Sequence, residues 1–340
     1  MIRRLISPFL PLAALAFAMA AAEARAQAVF DPPARIAAAP GRDYQISRTA
    51  SAAAAFDAQG ALHVVYWAGG QATSPAAPSY VLYRSWTPRG GWTDEEIIDD
   101  SYAGATRLGG RHPSLAFGPA GEIWVAWHDY RHATAAGNWM DNTEIYADRR
   151  PAGGAFSALD LRLTATAAGG LGDNGFAPKL AAGPDGRIHL AWYDFHYYGT
   201  VSDLFLKTTD GAGEFNLAET MDAMRLTRAT DRSGAPAFTL PALAVAADGA
   251  RHLVWVGGTT DGADLYYGEA APGGGGGADA FTPRRLLAHA TSFFDPPQIA
   301  TGPGEGEVWI ANADRVDPQN PRVKLLHRPA GAAEFEEIGR

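Results

Sequence analysis

One phrase recurs along this chain about every 60 residues, and it constrains the fold more than any other feature. It runs from Pro113 through Gly118, Pro119, Gly121, Trp124 and Trp127 to Asp129. It returns from Pro178 through Gly183, Pro184, Gly186, His189 and Trp192 to Asp194. Two further copies run from Pro241 through Gly249 and His252 to Trp255, and from Pro297 through Gly306 to Trp309 and Asp314. A worn first copy holds Ala52–Phe56, Gly60, His63, Tyr66 and Trp67. The column His63, Trp124, His189, His252, Trp309 and the later column Trp92, Phe156, Phe215, Phe281, Phe335 keep the same period. Five units are therefore expected between Thr49 and Arg340.

Within a unit, short β-type runs alternate with turn signals such as Gly118-Pro-Ala-Gly121 and Pro151-Ala-Gly-Gly154. In the second unit the expected strands are Ser114–Phe117, Ile123–His128, Glu144–Asp148 and Ala155–Leu163. The second of these is apolar at nearly every position, which suits a strand covered on both faces. Four strands per unit, with units side by side, describe an all-β chain folded as a β-propeller of five four-stranded blades. Phe30–Ile36 lies one period before Trp92, so a six-bladed ring with one degenerate blade is the alternative.

Ahead of the repeats, basic Arg3-Arg4, an apolar run Leu5–Ala22 and small residues at Ala26 and Ala28 read as a signal peptide over residues 1–28. Residues 29–340 are then one domain, working in the periplasm or secreted, with no membrane insertion after signal removal. The chain has no Cys, which excludes disulfides, thiolate metal sites and a cysteine nucleophile. A formal net charge of −9 argues against nucleic acid as a partner.

The phrase Pro-x-Leu-Ala, Gly, apolar-Ala-Trp-x-Asp, followed by Glu144-Ile-Tyr-Ala-Asp-Arg-Arg150 and a Gly-rich turn ending in an aromatic, resembles the units of sialidase-like BNR/Asp-box propellers. Broken Asp boxes stand at Thr208–Phe215 and Ser85–Trp92. The resemblance covers nearly the whole chain after residue 28 and implies a polysaccharide or other glycan as partner, with hydrolase or lyase chemistry.

In such an arrangement the long connections fall on one face, where function usually sits. This placement gathers His112, His128, Asp129, Asp194, His196 and Tyr197 as candidate catalytic groups. His, Tyr and Asp can supply a general acid and base, and paired carboxylates can serve a glycosidase. Arg111, Arg131, His132, Trp139, Tyr193, Tyr198, Arg232 and Arg315 are the candidate ligand-binding groups. Arginine forks match carboxylates and aromatic rings stack on sugars, so a glycan with an acidic group suits the mixture. Asp129 and Asp194 share a repeat column, for which a structural role is the competing reading, as it is for His63, His189 and His252. No motif assigns a metal or names a cofactor. The scaffold repeats while this rim varies, which points to one asymmetric site rather than a five-site lectin. The alternative function is a non-catalytic propeller that binds a small ligand or protein partner.

Overall fold

The computed structural model describes residues 52–69, 79–100, 109–132, 143–164, 174–195, 202–227, 237–259, 262–272, 281, 283–291, 296–314 and 322–338. The expected signal peptide and Phe30–Ile36 lie outside them. The described chain is all-β apart from one turn of helix, α1 (Met221–Met224). It forms five antiparallel sheets in chain order. The first holds β1 (Ala52–Phe56), β2 (Leu62–Gly69), β3 (Ser79–Thr87), β4 (Gly91–Trp92) and β5 (Glu96–Ile97). The second holds β6 (Gly110–Phe117), β7 (Ile123–Asp129), β8 (Glu144–Arg150) and β9 (Leu161–Arg162). The third holds β10 (Gly175–Ala182), β11 (Ile188–Asp194) and β12 (Asp203–Thr208). The fourth holds β13 (Ala237–Val245), β14 (Arg251–Thr259), β15 (Gly262–Ala270) and β16 (Arg284–Thr291), and the fifth β17 (Gln298–Thr301), β18 (Val308–Asp314), β19 (Arg322–Arg328) and β20 (Glu336–Glu337).

Two expectations need correction. The third sheet has three strands, its outer edge continued only by single bridges of Thr209 with Phe215 and Phe205 with Arg225. The outer strand expected over Ala155–Leu163 shrinks to Leu161–Arg162, because Pro151–Asp160 carries the turn signals and forms turn and bend. The second strand is as expected: every residue of β7 is buried. Its hairpin turns on Gly121, whose φ of 80° is costly for any residue with a Cβ, and Gly186 repeats this at 82°.

Consecutive sheets pack through one apolar layer each. Leu115, Val125 and Trp127 meet Val65, Val81 and Tyr83 of the first sheet, while Trp124, Ala126 and Ile145 meet Leu180, Leu190 and Trp192 of the third. The two repeat columns meet at these joints. Phe215 stands edge-on to Trp124 at 5.3 Å, Phe156 to Tyr83 at 5.2 Å and Phe335 to Tyr267 at 5.0 Å. Nδ1 of His63 and of His252 bonds the hydroxyl of Tyr83 (2.6 Å) and Tyr267 (2.7 Å). Arg150 lies over Tyr83 and Phe156, and Arg328 over Tyr267 and Phe335. The column histidines are thus built into the joints, as their structural reading expects.

The innermost strands share a second device. Pairing slips between Arg111 and Ser114 in β6, Phe176 and Lys179 in β10, and Thr239 and Ala242 in β13. Each slip is a bulge at an X-Pro pair, with His112, Ala177 and Leu240 at φ of 53°, 49° and 52°. Proline cannot donate to a ladder, so it belongs on such an edge strand or in a bulge. A non-glycine residue at positive φ is strained, and the strain here recurs in three sheets.

Two predictions follow from the joints. Phe215→Ala should destabilise the protein by about 3–5 kcal/mol, read from denaturant midpoints, since the ring is buried against Trp124. Asp148, in β8, is buried, and its Oδ2 has no hydrogen-bond partner, while Oδ1 accepts from the amides of Arg149 and Ser157. Burial, aided by Asp160 and Asp100, raises its carboxyl from 3.8 to about 7. The folded state therefore holds an extra proton between those values, and stability falls as pH rises through them. Asp148→Asn should match the parent at low pH and gain roughly 1–3 kcal/mol over it near pH 8, measured by thermal melts.

Candidate functional site

The bulges fall at one end of the sheets, beside the last residues of the second strands. Arg111 pairs across the ladder with His128, and Phe176 with Tyr193. The equivalent pair in the fourth sheet is Thr239 with Val256. Side chains from three sheets converge here. The guanidinium of Arg111 sits between two rings, 5.0 Å from Trp67 at the end of β2 and 5.0 Å from Tyr130 after β7. His112 lies nearly parallel to Trp67 at 6.5 Å and 4.8 Å from the ring of His128. His128 also meets Phe176 edge-on at 5.2 Å. Tyr130, Phe176, Ala177 and Leu240 close the cluster beneath, with Tyr193 and Phe195 packed against it.

The protonation pattern follows from the bonds. The amide of Ala177 donates to Nδ1 of His128 at 3.3 Å, so that nitrogen is the acceptor. The proton then sits on Nε2, which donates to the Tyr130 hydroxyl at 3.1 Å. Burial holds His128 neutral, well below the usual imidazole range, with His112 and Arg111 adding to the effect. Burial also lowers His112 to about 3, and the charges of Lys179 and Arg111 push the same way. Tyr130 is raised to about 12 by burial, and Tyr193 is raised further by the same cause. At neutral pH the site therefore presents two neutral imidazoles and two protonated phenols beside cations.

The other expected residues divide in two. Asp129 is fully buried and committed: it accepts from Trp127 Nε1 at 2.9 Å, from the Arg131 amide at 2.8 Å and from Arg131 Nη2 at 2.6 Å. The same Nη2 reaches Asp160 at 2.6 Å, and Arg131 also stacks 4.1 Å from Tyr146. His132 is exposed and bonds the Tyr146 hydroxyl at 2.7 Å. Asp194 is buried too, accepting from the Asn174 amide at 2.9 Å and from Trp192 Nε1 at 3.4 Å. These geometries support the structural reading of the Asp column and set Arg131 and His132 beside the cluster rather than in it. His196, Tyr197, Tyr198, Trp139, Arg232 and Arg315 lie outside the described residues. Trp67, Phe176 and Lys179 were not singled out from the sequence as site residues. The signal for Lys179 is its place directly after an X-Pro bulge, next to the neighbouring blade's Arg-His-Pro. Among the described residues no cluster of three or more His, Asp or Glu can hold a metal.

No protein-family model matches the sequence, and no curated protein matches it. Solved structures do resemble the fold. The Penicillium chrysogenum α-L-arabinanase complexed with arabinobiose aligns over 87% of this chain and 82% of its own, at TM-score 0.60 and 16% identity. Trypanosoma rangeli sialidase, in complex with the inhibitor DANA, aligns over 88% of this chain and 48% of its own, at 0.55 and 9%. Polysaccharide lyase Uly1 aligns over 85% and 68%, at 0.51 and 12%. No helix among the described residues is long and apolar enough to cross a membrane. The chain has a β-propeller fold like that of the arabinanase and the sialidase.

Proposed function

We propose that this protein is a secreted propeller of five blades that takes a glycan at the cluster around Arg111, His112 and His128 and acts on it as a hydrolase or lyase. One observation carries the reading. The bulged scaffold repeats in three sheets, yet its side chains do not: the residue paired opposite the last position before each slip is His128, then Tyr193, then Val256. A multivalent lectin would repeat the binding residues along with the scaffold, whereas this end is asymmetric. Neighbours that bind arabinobiose or cleave polysaccharides support a glycan as the ligand.

Within this reading His112 is the proton-transfer residue at the ligand, because it is partly exposed whereas His128 is buried. His128 and Tyr130 position it, fixed by the Ala177 amide. Asp129 and Asp194 belong to the scaffold. His196, Tyr197 and Tyr198 follow the end of β11 in sequence and are proposed as the groups that complete the rim.

The test is an activity screen of purified residues 29–340 against neutral and acidic polysaccharides, reading new reducing ends and unsaturated uronate products together. Reducing ends alone mean hydrolysis; unsaturated products mean a lyase. Silence on both, with no binding to any polysaccharide, overturns the reading. His112→Gly is the diagnostic variant, since glycine relieves the backbone at φ 53° while removing the imidazole. It should melt at or above the parent temperature and lose roughly 10²–10⁴-fold in turnover.

A further inference from the structure

Two buried nitrogen donors at this site lack an acceptor among the described residues, and a half-buried ammonium stands near them. Arg111 is 7% exposed, held only by the faces of Trp67 and Tyr130, and its Nε has no hydrogen-bond partner. Trp67 is 4% exposed, and its Nε1 is unpartnered as well. Lys179 stands on β10 just past the bulge, with no hydrogen bond or ion pair among the described residues. Burial alone brings its ammonium down to about 8, and burial lowers Arg111 as well. Both cations act on His112, so the three groups share one neighbourhood.

The carboxylates described at this end of the sheets are already spent. Asp129 is bound to Arg131, Asp194 to an amide and an indole, Asp203 to Arg225 and Glu144 to Arg162. A buried cation without a counter-charge is costly, and packing alone is served better by methionine or leucine. Here a buried Arg111 stacks on Trp67 beside the candidate proton-transfer histidine, and the half-buried Lys179 of the next sheet adds its charge to the same neighbourhood. The unpartnered atoms of Trp67 and Arg111 are both N–H donors, and they call for an oxygen-rich anion.

Resting on the glycan reading above, we propose that Trp67 Nε1, Arg111 and Lys179 form a subsite for an oxyanion carried by the ligand, so that the glycan is an acidic one, bearing a carboxylate or a sulfate. The guanidinium supplies a planar fork, held rigid by its two rings; the ammonium supplies a point charge; the indole supplies one directed donor. A bound anion also offsets the two cations that depress His112, so its basicity rises when the ligand is in place. The subsite separates this protein from a propeller built for neutral sugars.

The experiment is calorimetric titration of residues 29–340 with sodium D-glucuronate, sodium sulfate and D-glucose, at constant ionic strength near pH 6. The parent should bind glucuronate, sulfate or both with saturation at one site, and glucose not at all. Glucuronate alone assigns a carboxylate ligand, and sulfate alone a sulfate ester. Lys179→Met and Arg111→Met should each weaken that binding at least about tenfold, and Trp67→Phe by a few-fold. Lys179→Met should also raise the melting temperature, because it removes a half-buried charge that no described residue pairs. Absence of saturable anion binding, equal binding of glucose, or anion binding unchanged in both methionine variants overturns the subsite. A fall in the melting temperature of Lys179→Met overturns the role given to Lys179, since it reveals a structural partner. Anion binding without any polysaccharide turnover or binding sinks the glycan reading and leaves the subsite standing. Turnover of a neutral polysaccharide without anion binding does the reverse.

Discussion

Each of the first four sheets of this protein has two apolar faces and can cover neither by itself. The second sheet shows the constraint most plainly: Trp127 and Trp124 are neighbours on opposite faces of β7, both almost fully buried, one against the first sheet and one against the third. Burial of one such side chain is worth about 1.5–3 kcal/mol, so stability accrues at the joints rather than within the units. The joints are also specific. Aromatic rings meet edge to face, and an arginine caps the ring pair in two of them. Position within the array is therefore set by the same contacts that stabilise it.

That rigidity is what lets the inner strands hold strain. A residue at positive φ before proline would relax in an isolated hairpin; between two packed sheets it persists. The bulge turns His112 toward Trp67 and His128 and sets the Ala177 amide within reach of the His128 ring. The scaffold thus fixes one imidazole's tautomer through a backbone group of the next sheet. Change of sequence at the bulge, from His112 to Ala177 to Leu240, alters the chemistry without altering the backbone.

The sequence displayed the joints because they repeat. His63, Trp124 and His252 with Phe156, Phe215 and Phe335 recur at one period, and the structure shows why: Trp124 meets Phe215 across sheets, and His63 and His252 hold the tyrosines that meet Phe156 and Phe335. The site was legible in part. Arg111, His112, His128 and Tyr193 flank a strand end in a long-loop region, and they do converge. Asp129 looked equally well placed, and only the geometry shows its oxygens occupied by Trp127 and Arg131. Trp67 was masked by its core-like surroundings, and Lys179 by a bulge. A slip in register moves a side chain to the other face, and a two-residue periodicity cannot register it. The prolines at 113, 178 and 241 were the visible trace of that slip.

The charge pattern ties scaffold and site together. The chain carries a net charge of −9, and the buried Asp129, Glu144 and Asp203 at the sheet ends are neutralised by Arg131, Arg162 and Arg225 of the scaffold. Against that background an unneutralised Arg111 and Lys179 are a local excess of positive charge inside a negative protein. Such an arrangement costs stability in the free protein, and rings on both sides of Arg111 offset only part of it. Folding alone does not call for a cation at these places, and the fourth sheet carries Thr239 and Ala242 at the positions that match Arg111 and Lys179. The cations stand where the strained backbone and the neutral imidazoles also stand, so three separate costs are concentrated at one end of three sheets. Packing accounts for none of the three, whereas a ligand that brings its own negative charge balances the cations and raises the basicity of His112 in the same step.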